Sequence, residues 1–179
     1  MSQPRDVAER LELLESGEAD VAALLQALRD VSDAASLWEV AEWVVPYVPI
    51  MEAVRLRARE LGASDETARG HLALALTFDG DDAAADALAG RAGEEESRDP
   101  VLLDAWIGLS PTPDEALSRI HLALERVPGS LRLYRRLANT ALQSNWMEQA
   151  REAHRWLLAH EEDPVEKARL MEIMAEYGW

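Results

Sequence analysis

The sequence of 179 residues contains no cysteine, so neither a disulfide framework nor a metal site built on thiolates is possible. It also lacks a glycine-rich phosphate loop, a nucleophile elbow and a paired-histidine zinc motif. The four histidines are scattered, and the spacing of His154 and His160 places them on different faces of a helix. We therefore predict no catalytic residue, no metal site and no cofactor.

Long hydrophobic runs are missing as well. An apolar run such as residues 43–51 is far shorter than the roughly twenty residues that a membrane-spanning helix requires. The start of the chain has no apolar core of the kind found in secretory signals. These features predict a cytoplasmic protein that does not enter a membrane.

Negative charge is concentrated in the first two thirds of the chain. There are 34 acidic residues against 18 basic ones, a formal net charge of −16. Residues 1–116 hold 25 of the acids and 9 arginines, whereas residues 117–179 hold nine charges of each sign. Such a field repels nucleic-acid phosphates and anionic lipids and attracts basic groups. We expect a protein or peptide partner, with a basic one favoured by the charge, and neither nucleic acid nor membrane.

Apolar residues recur at intervals of three and four along most of the chain, and no useful stretch alternates with period two. This periodicity predicts an all-α protein, and the length suits one domain or a short repeat array. Trp106 and Trp156 fall on apolar stripes, where we expect them to fill gaps between helices.

The clearest pattern lies in residues 131–164, which read as two helices separated by a short break. Ser144 and Asn145 form the break, because both residues tolerate turn geometry. Ala138 and Ala150 occur where the two helices would cross, and their small side chains would allow a close approach. Pro164 ends the unit, since its ring cannot continue the preceding helix.

With Trp146 at the turn and Pro164 at the end, this spacing resembles a tetratricopeptide repeat. Two positions depart from that pattern: Asn145 stands where glycine is usual, and Leu157 stands where alanine is usual. The resemblance implies a right-handed solenoid of antiparallel helix pairs.

Residues 97–130 repeat the pattern 34 positions upstream. Ala116 is in phase with Ala150, so the small residue of the second helix recurs. Asp104 departs from the pattern, because it takes the place of the small Ala138. Two units in register favour a helical array more strongly than either unit alone.

On this reading residues 1–179 form a single helical-repeat domain. Residues 1–33 are an N-terminal helical hairpin, 34–96 divergent repeats, 97–164 two clearer repeats, and 165–179 a capping helix over the end of the stack. We also expect Ser36 to cap a helix that begins at Leu37, and Asp114 to cap the helix after the proline-rich turn.

The tetratricopeptide resemblance implies a concave groove lined by the first helix of each pair, where polar residues one turn apart hold an extended peptide or its terminal carboxylate. Arginine can bind a carboxylate through two parallel hydrogen bonds, and asparagine can bind a peptide backbone. The preceding unit would add an apolar pocket. The matching positions are Arg132, Arg135, Asn139, Gln143 and Arg169 for the polar contacts, and Val101, Ala105 and Leu109 for the pocket.

These features favour a non-catalytic module that binds a peptide segment or a partner helix in its groove. One alternative is an acidic inhibitor or immunity-type protein that neutralises a basic partner through the surface of residues 1–116. A second alternative is an enzyme on a helical-repeat scaffold, whose inward-facing carboxylates cannot be located among so many acidic residues.

Overall fold

The computed structural model describes the backbone of residues 21–44 and 48–179 and the side chains of residues 25–42 and 48–179. Within these ranges the protein consists of ten helices and contains no strand, which confirms the predicted all-α class. The first helix of the predicted N-terminal hairpin lies outside the described residues. The helices are α1 (Val21–Asp30), α2 (Ala34–Val44), α3 (Val48–Glu60), α4 (Asp65–Asp79), α5 (Asp82–Ala89), α6 (Pro100–Gly108), α7 (Pro113–Arg126), α8 (Leu131–Gln143), α9 (Met147–His160) and α10 (Pro164–Glu176).

The chain divides into two compact units, Met1–Arg91 and Ala92–Trp179. Helices α1 to α5 belong to the first unit and α6 to α10 to the second. The division falls close to the predicted boundary between the divergent and the clearer repeats, which lies after residue 96. One continuous repeat array over the whole chain stays a prediction.

In the first unit, α3 packs against α1, α2 and α4, and α4 also packs against α5. His71 of α4 is buried and stacks on Trp38, with the ring centroids 5.8 Å apart. The apolar core around these helices includes Leu28, Leu37, Val40, Met51, Val54, Leu72 and Ala75.

In the second unit, each helix packs against the next one in the chain, and α6 also packs against α8. Ala138 and Ala150 are both buried, as expected for small residues where α8 meets α9. Trp106 is buried too, whereas Trp156 is half-buried. The core includes Leu102, Leu103, Ile107, Ile120, Ala123, Leu133, Leu137, Ala141 and Leu157.

Three arginines tie neighbouring helices together by donating to carbonyl oxygens at or just beyond a helix end, and a fourth, Arg126, donates to the turn that precedes α6. Such oxygens have no partner within their own helix, so a side-chain donor satisfies them. The pairs are Arg57 with Val31, Arg69 with Leu88, Arg119 with Trp106, and Arg126 with Ala92 and Gly93. The donor–acceptor distances run from 2.7 Å for Arg119 to 3.4 Å for the bond to Ala92.

Two predicted helix caps are wrong. Helix α2 begins at Ala34, and the carboxylate of Asp33 accepts hydrogen bonds from the backbone N–H and the hydroxyl of Ser36, both at 2.9 Å. These bonds hold the pKa of Asp33 below its usual range. Helix α7 is capped by Thr112 and not by Asp114. Pro113 occupies the first helical position, which its fixed φ favours, so Asp114 lies inside the first turn.

The break between α8 and α9 lies at the predicted residues. Asn145 has φ +59°, a left-handed conformation. Its N–H donates to the Leu142 oxygen at 3.1 Å, and the N–H of Trp146 donates to the Ala141 oxygen at 2.8 Å. These bonds satisfy carbonyls at the end of α8 while the chain reverses. Asparagine thus adopts the turn conformation at the position where the repeat pattern has glycine.

We expect Asn145→Ala to lower the free energy of unfolding by about 1 kcal/mol, because alanine adopts the left-handed conformation less readily than asparagine does. Asn145→Gly should equal or exceed the native protein in stability. Urea unfolding followed by circular dichroism measures both. Asn139, exposed within α8, is the matched control, since helix propensity there favours alanine over glycine. If alanine and glycine variants ranked in the same order of stability at positions 139 and 145, the left-handed turn at Asn145 would be contradicted.

Candidate functional site

A buried carboxylate joins α6 to α8. The Asp104 side chain is 9% exposed, and its two oxygens face Arg132 Nη1 at 3.2 Å and Arg136 Nε at 2.5 Å. The two arginines are four residues apart on α8, so one helix face presents both to the same carboxylate. A buried charge is costly unless it is paired and hydrogen-bonded. Asp104 is tolerated in the place of a small residue because α8 supplies two cations.

A second buried carboxylate, Glu161, lies just after the end of α9. One of its oxygens accepts the backbone N–H of Glu162 at 3.0 Å and that of Asp163 at 3.2 Å, and the other binds Arg135 of α8. Burial raises the pKa of Glu161, but the bonds from Asp163, Arg135 and Glu162 lower it further than burial raises it. The net result is a pKa below the ordinary value for glutamate. Glu161 thereby fixes the connection from α9 to α10 against α8.

The structure gives different environments to the residues of the predicted groove. Arg132 and Arg135 are engaged in the ion pairs with Asp104 and Glu161. Asn139 and Gln143 are exposed on the same face of α8. The structure therefore brings these four α8 residues together, but the two arginines among them already bind carboxylates of the chain.

The remaining predicted residues come from α6, from the residue after it and from α10. Val101 and Ala105 are 7% and 2% exposed, so they belong to the core of the second unit and leave no open apolar pocket. Leu109 is half-buried. Arg169 of α10 is exposed, and its Nη1 lies 3.9 Å from a Glu166 oxygen one turn away.

A cleft of about 580 Å³ opens beside this face of α8. Three α8 side chains line it, Arg136, Thr140 and Gln143, at intervals of four and three residues. Of these only Gln143 was predicted from the sequence. The missed pair could have been found from its helical spacing to Gln143. The other lining residues are Ile107, Gly108, Ser110, Pro111, Thr112, Pro113, Asp114, Ala116, Ser144 and Trp146.

A second cleft of about 480 Å³ lies between α7, α8 and α9. The rings of Tyr134 and Trp156 stack beside it, with centroids 3.5 Å apart and planes 9° from parallel. His160 stacks on Trp156 as well, at 4.0 Å. Both faces of the indole are therefore covered, so the Trp156 ring is held in place at the side of this cleft. Sequence periodicity indicated the burial of Trp156 but not its ring partners.

The described part of the chain offers neither a metal site nor a membrane-spanning helix. Among the described residues, no three His, Asp or Glu side chains are arranged to hold a metal ion. His154 is buried, and its Nδ1 lies 2.7 Å from the Ala150 oxygen, one turn earlier in α9. None of the described helices has the length and apolar character needed to cross a membrane.

Comparison with known proteins gives no match: no family model, no curated protein and no solved structure is significantly similar to this chain. The tetratricopeptide resemblance therefore stays a prediction, and the site has to be interpreted from its own geometry.

Removing the two arginines should destabilise the protein more than removing the carboxylate that they bind. The Arg132→Ala, Arg136→Ala double variant leaves Asp104 buried without a cation, and we expect it to lose about 3–5 kcal/mol of unfolding free energy. Asp104→Ala leaves two arginines that are 26% and 32% exposed and can be hydrated, so its loss should be about 1–2 kcal/mol. Urea unfolding at neutral pH measures both. An equal or larger loss for Asp104→Ala would contradict this account.

The lowered pKa of Glu161 predicts a pH dependence of stability. The folded state binds this proton less readily than the unfolded state, so ionised Glu161 stabilises the fold above its unfolded pKa. That stabilisation is lost as the pH falls through the folded pKa. Between about pH 5 and about pH 3 the native protein should therefore lose more unfolding free energy than Glu161→Gln.

The control for this pH series is Glu162→Gln, which removes the neighbouring exposed carboxylate. In this variant the unfolding free energy should change with pH as it does in the native protein. Thermal unfolding across the pH series measures the effect. Identical slopes for the native protein and Glu161→Gln would show that Glu161 contributes nothing to acid sensitivity.

Proposed function

We propose that the unit Ala92–Trp179 is a tetratricopeptide-like, non-catalytic module that binds a peptide segment of a partner protein. In this arrangement α6–α7 and α8–α9 are successive antiparallel pairs of a right-handed solenoid, and α10 covers the end. The 34-residue spacing and the packing of α6 against α8, the first helices of the two pairs, support the proposal.

The observation that carries the proposal is the row of polar side chains that α8 presents to the cleft of about 580 Å³. This volume lies within the range found for ligand sites. Thr140 offers a hydroxyl, and Gln143 offers an amide that both donates and accepts. Their spacing of about one helical turn suits an extended peptide, whose backbone repeats such groups.

The ion pairs determine which part of a peptide the cleft would hold. Arg132 and Arg136 bind Asp104, and Arg135 binds Glu161, so each of these arginines already donates to a carboxylate of the chain. Arg136 uses Nε for Asp104, and its guanidinium has further N–H groups for a peptide carbonyl. We therefore propose an internal peptide segment, bound through its backbone, as the ligand.

The acidic inhibitor remains the competing proposal, because the negative charge of residues 1–116 is a second feature that a partner could recognise. The two proposals differ in their salt dependence. Attraction by an exposed acidic surface is screened by salt, whereas binding in a cleft through hydrogen bonds and apolar contact is much less so.

The test uses short peptides selected from a random displayed library on the native protein. Gly108 lines the cleft, and a Cβ placed there would lie 3.8 Å from Arg136 Nη2. Gly108→Leu should therefore fill the cleft and weaken the selected peptides by about ten-fold or more. Gly129→Leu is the matched control, since a Cβ there meets no atom within 4 Å. Titration calorimetry at about 0.05 M and about 0.5 M salt gives the affinities.

Peptides that keep their affinity at high salt and lose it in Gly108→Leu alone would support the cleft. Peptides that dissociate at high salt and bind both variants equally would favour the acidic surface. A library from which no binding peptide is selected would contradict the peptide-binding module.

A further inference from the structure

The second cleft, of about 480 Å³, has an apolar floor and a polar rim. Its floor contains Leu137 and Ala153, which are both buried, and the covered ring of Trp156. Leu124 adds apolar surface from α7. A ligand in this cleft therefore contacts hydrocarbon and an aromatic edge at the floor and polar groups at the rim.

The rim carries two carboxylates from facing helices, Glu125 of α7 and Glu152 of α9. Both residues are exposed, and neither forms an ion pair within the described part of the chain. Their neighbours in sequence are engaged elsewhere. Arg126 donates to the Gly93 oxygen at 2.9 Å, and Arg151 lies 3.0 Å from Glu148. The cleft thus combines an apolar interior with two carboxylates that form no ion pair in the described part of the chain.

We propose that this cleft binds an arginine side chain of a partner protein. The guanidinium of the arginine would lie between Glu125 and Glu152, and its aliphatic stem would contact the nearby apolar side chains of Leu124, Leu137 and Trp156. Long basic side chains commonly bury their stems and keep their charged ends at the surface. The cleft shares no lining residue with the peptide cleft of the proposed function, so the two sites can be tested independently.

Arginine fits this site better than lysine does. A planar guanidinium has five donors in a rigid fork and can serve two carboxylates that approach from different helices. It is also more weakly hydrated than an ammonium group, so it loses less hydration when it enters the cleft. His121 and Gln149 line the same rim and offer further hydrogen-bonding atoms.

The experiment titrates the full-length protein with a short acetylated and amidated glycine peptide that carries one arginine. The shift of the Trp156 indole N–H signal in nuclear magnetic resonance spectra reports occupancy. The same peptide with citrulline keeps the shape of arginine but removes its charge. We expect the citrulline peptide to bind at least about ten-fold more weakly, because charged hydrogen bonds to the rim are lost. A lysine peptide should be weaker than the arginine peptide.

Two double variants distinguish the effect of the rim carboxylates on affinity from the effect of the net charge. Glu125→Gln, Glu152→Gln should weaken the arginine peptide by at least about ten-fold. Glu172→Gln, Glu176→Gln changes two exposed α10 carboxylates and the net charge by the same amount, and should change affinity by less than about two-fold. Gly108→Leu should leave this affinity unchanged, whatever its effect on selected peptides.

Equal binding of the arginine and citrulline peptides would overturn the proposal, as would equal losses in the two double variants. A lysine peptide that binds as tightly as the arginine peptide would overturn the choice of arginine. Urea unfolding of the rim variant checks that the replaced carboxylates, both exposed, leave the fold intact.

Discussion

The two ion pairs of Asp104 set how α6 meets α8, and the first cleft lies beside that contact. Apolar side chains fill the rest of the interface. They restrict the orientation of α6 relative to α8 less than a carboxylate that needs two cations does. Because one face of α8 supplies both Arg132 and Arg136, a rotation of α8 about its axis would break both pairs together. The buried charge therefore constrains the register of the two helices.

The same constraint determines what the polar face of α8 has left for a ligand. Two of its arginines hold Asp104 and a third holds Glu161, so these cations act within the protein. Thr140, Gln143 and the remaining donors of Arg136 line the cleft. This composition differs from the groove that the repeat resemblance implied, in which the arginines hold the ligand.

Much of the second unit could be predicted from sequence, because the signals involved are local. The apolar spacing predicted the helices, the small size of Ala138 and Ala150 predicted their burial, and Asn145 marked the turn. Caps were less predictable, since Asp33 and Ser36 are both good caps and only the structure shows which one accepts the hydrogen bonds.

The site was harder to predict because its contacts are distant in sequence. The ion pairs span 28 residues for Arg132 and 26 for Arg135, and periodicity shows that a residue is polar without showing its partner. Arginines that bind a ligand and arginines that bind the chain look alike in sequence. Asp104 was the available signal, because an acid at a small buried position requires a cation nearby.

Hydrogen exchange of the intact protein, measured by mass spectrometry on the native chain and on Asp104→Ala, tests the central claim most directly. If Asp104 holds α6 against α8, amides of α6 and of the first half of α8 should exchange faster by about ten-fold or more in the variant, while α4 and α5 are unchanged. Unchanged exchange in α6 and α8 would show that apolar packing alone holds the two helices together, and would contradict the account.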